Sequence, residues 1–87
     1  MIKMNFDMIV FKEGETFVAY CPELDLSSCG SSVEHAKEML KTAIRLFLEE
    51  SEKMGTLDEI LSEVNYTVNR DGRYVPPKIV AAEEVSL

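Results

Sequence analysis

Residues 16–36 read TFVAYCPELDLSSCGSSVEHA, and the order of features within them decides the fold. Thr16-Phe17-Val18-Ala19-Tyr20-Cys21 is rich in β-branched and aromatic residues, the composition of a strand. Pro22 has no N–H for a ladder and ends that strand. Leu26-Ser27-Ser28-Cys29-Gly30 reads as a short, small-sided third strand, with Leu24 placed to drop into the core beneath the loop between them. Ser31 and Ser32 then open a helix. Ser31 has capping-box spacing to Glu34 and Ser32 is the alternative N-cap, and the residues leave both open. Gly30 permits a tight approach from the strand into that helix.

Upstream, residues 3–11 alternate, with Met4, Phe6, Met8 and Val10 on one face, Asn5 and Asp7 on the other, and Ile9 and Phe11 joining near the end. Period two predicts a first strand. Lys12-Glu13-Gly14-Glu15 makes the hairpin turn to the second. Downstream, Val33, Ala36, Leu40, Ala43, Ile44, Phe47 and Leu48 form one apolar arc, opposite Glu34, Glu38, Lys41, Arg45, Glu49 and Glu52. Met39 and Leu46 lie on its flank. The helix runs to about Met54, and Gly55 closes it. Thr56-Leu57-Asp58-Glu59 repeats the capping-box signature and predicts a short helix over 57–64. Tyr66-Thr67-Val68 is a possible strand, Asn69–Gly72 a turn, and residues 78–85, behind Pro76-Pro77, a C-terminal strand. The prediction is a single α+β domain over residues 1–87, with a three-stranded antiparallel sheet, a long helix, a short helix and a last strand.

A chain of 87 residues with 46% hydrophobic and 29% charged residues has the balance of a globular domain rather than a disordered tail. No apolar run approaches the roughly 20 residues that span a bilayer, so no membrane association is expected. Met1-Ile2-Lys3-Met4-Asn5 lacks a signal-peptide pattern, and a cytoplasmic location is expected. Nine basic residues face sixteen acidic ones, for a net charge of −7. That sign disfavours nucleic-acid backbones and suits docking onto a basic protein.

Chemistry is sparse. The single histidine, His35, falls in the first turn of the helix on its polar side and reads as a solvated residue rather than a base. Cys21 and Cys29 have no short C-x-x-C spacing and read as buried free thiols, not metal ligands. Phosphate-cradling glycine motifs are absent. Asp7 is one carboxylate on a strand where a metal-dependent nuclease gathers several. No cofactor and no catalytic residues are expected.

Phe17–Asp25, then Cys29–Ala36, with Leu40, Ala43-Ile44 and Leu46–Glu49 along the helix and Gly55-Thr56-Leu57 after it, resemble the HicB family of antitoxins over residues 6–62. The resemblance implies a partial RNase-H-like fold of β-β-β-α-β order, commonly a homodimer, that lacks a nuclease carboxylate set. It also implies a partner, a small basic HicA-like toxin that cuts RNA and is neutralised by being covered. Two features depart from the family pattern. Nothing after Glu63 reads as the DNA-binding segment that many members carry, which leaves open an orphan HicB-type domain without a toxin; and Asp25-Leu26-Ser27-Ser28 lacks the usual glycine, with Ser31 and Ser32 in place of the usual Asp-Thr cap pair. Two competing readings are a stand-alone homo-oligomeric regulatory or ligand-binding domain, and a hydrolase.

Turn exposure nominates Glu13, Glu15, Glu23 and Asp25 as an acidic partner-binding rim. Met39, Leu46, Ile79 and Val80 are the candidates for contact with a second copy. No DNA binding is expected. In a gel shift with the DNA upstream of its own gene, the chain should give only weak association that salt removes. A specific nanomolar complex would contradict this reading of residues 65–87.

Overall fold

A computed structural model describes residues 3–87. Met1 and Ile2, part of the start read above as no signal peptide, lie outside the described residues. The elements are β1 (Ile9–Glu13), β2 (Thr16–Cys21), β3 (Leu26–Gly30), α1 (Val33–Met54), α2 (Leu57–Glu63), β4 (Thr67–Val68) and β5 (Tyr74–Val75). The architecture is α+β, with one antiparallel sheet in the order β1-β2-β3 and a separate β4-β5 pair.

The hairpin turns at Gly14, whose φ of +61° favours glycine, and pairs Glu13 with Thr16. Phe17 lies opposite Gly30, Ala19 opposite Ser28 and Cys21 opposite Leu26, so these residues share one face of the sheet. That face carries the core: Ala19 and Cys21 are buried, against Ala36, Leu40, Ile44 and Leu48 of α1. The helical four-residue rhythm of those positions is the predicted arc, except that Val33 at its start is exposed. Leu57 and Leu61 of α2 and Tyr66 close the end of the core. α1 lies over β3 and β2 and hardly reaches β1.

Ser32 is the N-cap, with its Oγ accepting the His35 N–H at 3.0 Å. The His35 ring is exposed, as expected, yet it is not idle: Nδ1 accepts the Ser31 N–H at 3.0 Å. The arrangement resembles a capping box displaced by one residue: the cap hydroxyl takes the His35 N–H, and the His35 ring reaches back to the N–H of Ser31, the residue before the cap. Gly55 ends α1 in the left-handed region at φ +74°.

Three expectations are corrected. The first strand starts at Ile9 and not at residue 3, because β2 stops at Cys21 and the Asp7 N–H is taken by the Glu23 carboxylate. Lys3 and Asn5 pair instead with Tyr74, through Tyr74 N–H to Lys3 O and Asn5 N–H to Tyr74 O, in parallel. The strand expected over 78–85 is absent: pairing ends at Val75, because Pro76 and Pro77 have no N–H to continue it. Thr56 does not cap α2 with its side chain; its backbone is αR, and its hydroxyl donates to the Ser51 carbonyl.

At Gly30 a Cβ would sit 2.6 Å from the Ala36 nitrogen and 2.9 Å from the His35 carbonyl carbon. Both are backbone atoms of the first helical turn, which cannot yield without moving the helix. Gly30→Ala is therefore expected to destabilise the fold by about 1–3 kcal/mol, the usual range for overpacking. Urea unfolding measures it, and an unchanged midpoint would refute the close approach.

Candidate partner-binding face

The register that sends Ala19 and Cys21 inward sends Val18 and Tyr20 outward. Ile9 lies opposite Tyr20 and Phe11 opposite Val18, so four large apolar or aromatic side chains stand side by side on the outer face. Ser27 and Cys29 of β3 extend it. Phe11 is 49% exposed and Ile9 38%, and neither packs against the core. A sheet with both faces apolar and only one covered is an exposed patch, which marks an interaction surface more often than chance.

The four acids chosen from the sequence divide. Glu13 shares the strand face of Ile9 and Phe11 at the hairpin end, and Glu15 is exposed in the turn beside it. At the opposite end Asp25 is exposed, with φ +53°, and its carboxylate accepts the Tyr20 hydroxyl at 2.9 Å. Those three border the apolar patch. Glu23 does not. It is half-buried, and its Oε1 accepts the Asp7 N–H at 2.9 Å and the Cys21 thiol at 3.4 Å, so it ties the N-terminal segment to the loop after β2. A carboxylate that replaces a missing ladder partner is a structural tie, which loop position alone does not reveal.

Met39 and Leu46 are exposed on the flank of α1, and Ile79 and Val80 are exposed beyond the prolines. None of these four belongs to a strand of the sheet. Cys21 is buried as expected, whereas Cys29 is exposed on the outer face. Among the described residues, no three His, Cys, Asp or Glu side chains gather as a metal site, and no helix is long and apolar enough to cross a membrane. Ile9, Phe11, Val18 and Tyr20 were not singled out as a surface from the sequence. The signal was present in the strand β1, whose consecutive Ile9-Val10-Phe11 leaves neither face polar.

No family model matches the chain, and no curated protein or solved structure matches it.

Burial raises the Glu23 carboxyl above its ordinary range, and the Asp7 N–H, which favours the ionised form, offsets this only in part. A group whose value is raised by folding stabilises the fold at pH below its unfolded value. It gives up that contribution as pH rises through the folded value. Relative to Glu23→Gln, the native chain should lose stability from the acid end of the carboxylate range toward neutrality. Thermal melts across that range test it, and parallel pH profiles for the two proteins would refute it.

Proposed function

We propose that the chain is a HicB-like binding domain that holds and blocks a small, basic, RNA-cleaving protein of the HicA type, and that it performs no catalysis itself. The observation that carries this is the outer sheet face, with Ile9, Phe11, Val18 and Tyr20 in the middle and Glu13, Glu15 and Asp25 at its two ends. An apolar centre with a charged rim is the anatomy of a protein interface: the centre supplies affinity, and the rim steers the encounter and selects the partner. A net charge of −7 adds long-range attraction for a basic partner.

The finer fold belongs to the same reading. Three antiparallel strands, a long helix packed back over two of them and a returning segment at Tyr74 alongside Lys3–Asn5 support a partial RNase-H-like order. The motif of residues 17–36 serves this scaffold: Pro22 ends β2, and Gly30 brings β3 against the helix. A cytoplasmic location, where an RNA-cleaving partner would act, goes with it.

A second reading, a stand-alone domain that assembles only with itself, is favoured by the exposure of Met39, Leu46, Ile79 and Val80. Co-expression separates the two. Where a small basic HicA-type protein is encoded beside its gene and co-expressed, the native chain should relieve growth arrest, and Phe11→Asp should lose that rescue while keeping its thermal melt. Asp25→Lys should slow complex formation chiefly at low salt. Persistent arrest in the presence of abundant, folded native chain would sink the antitoxin reading.

A further inference from the structure

Among the described residues, a groove of about 660 Å³ lies between Met4 and Phe6 of the N-terminal segment and the exposed side of α1. Its floor is Met4, Phe6, Ile44 and Leu48. Its ends differ in sign, with Lys41 and Arg45 toward the start of the helix and Glu49 and Glu52 toward its end. Lys41 already holds Glu38 at 3.3 Å, in an exposed pair that contributes little. Arg45 makes no ion pair among the described residues.

The same chain carries a segment with the reciprocal pattern. Lys78 is followed by Ile79-Val80-Ala81-Ala82 and then by Glu83-Glu84. This arm has no regular structure, is exposed at every position from 77 to 87, and leaves Val80 88% exposed. The radius of gyration is 14.3 Å. A compact chain of this length would have roughly 12 Å, so the arm stands off the body. The lengths agree as well: an extended chain from position 78 to 83 spans about 16 Å, and the helix from position 41 to 52 rises about 16 Å. Pro76 and Pro77 give the arm a stiff exit, and none of its residues lines the groove of its own copy.

We infer that the arm 78–84 of one copy lies in the groove of a second copy. Lys78 meets Glu49 and Glu52, Ile79 and Val80 cover the apolar floor, and Glu83 and Glu84 meet Arg45. An arm laid in the reverse direction would set like charges together, so the rims fix its polarity. Each copy gives one arm and receives one, and the exchange closes as a two-fold dimer. The outer face of the sheet takes no part, so this assembly stands or falls apart from the binding role proposed above.

The test is sedimentation equilibrium of the full chain at micromolar concentration, beside Val80→Asp, Arg45→Glu, and Arg45→Glu combined with Glu83→Arg and Glu84→Arg. The native chain is expected to sediment at twice its chain mass. Val80→Asp should weaken self-association by about tenfold or more, Arg45→Glu should weaken it too, and the triple variant should regain most of what Arg45→Glu loses. Positions 45 and 80 are exposed, so circular dichroism should show the same fold in all of them. A native chain that stays monomeric overturns the inference, including the case in which the arm closes onto its own groove. So does a dimer indifferent to both Val80→Asp and Arg45→Glu, which would place the contact on the Met39–Leu46 flank or on the sheet.

Discussion

The approach of β3 to α1 at Gly30 leaves no volume for a side chain, and most of the molecule is arranged around that contact. The strand delivers the chain directly into the first turn of the helix, where Ser32 and His35 satisfy the backbone donors. From that fixed start, a helix of the length of Val33–Met54 must run back across the sheet. Its buried row, from Ala36 through Leu40 and Ile44 to Leu48, then meets Ala19 and Cys21. A small chain has little core to spare, and a displacement of the helix start would loosen every one of these contacts together.

The same geometry decides what stays uncovered. One helix cannot cover three strands, and this one sits over β2 and β3. β1 is left largely beyond the reach of the helix, and among the described residues no helix packs on the outer face of the sheet. Most two-layer domains place polar residues on the solvent side of such a sheet. Here Phe11 and Ile9 occupy it, at the expense of exposed apolar area, a cost that the binding role proposed above would offset.

Local signals were legible in the sequence where one residue settles a local conformation. Pro22 ended β2, Gly55 ended α1, and the apolar arc gave the buried side of the long helix with only Val33 out of place. Signals that depend on a distant partner were not legible. Residues 3–8 alternate like a strand, but β2 has no length left to pair with them, and the Glu23 carboxylate takes the Asp7 N–H instead. Residues 78–85 have strand composition, yet nothing in that composition reveals whether a neighbouring edge is within reach. The outer face of the sheet lay between these cases: acids at turns were readable as exposed, but whether each faced the patch or the core depended on the register.

Cys21 and Cys29 lie on opposite faces of one thin sheet, and this divides their reactivity. The side chains point apart, so no disulfide can join them without breaking the pairing of β2 with β3. Burial lifts the Cys21 thiol to about 11 and leaves little thiolate to react. Cys29, exposed beside Val18, is the sulfur that an alkylating or oxidising reagent reaches first. The fold therefore presents a single addressable thiol on the outer face of the sheet, where its accessibility would record whether that face is covered or bare.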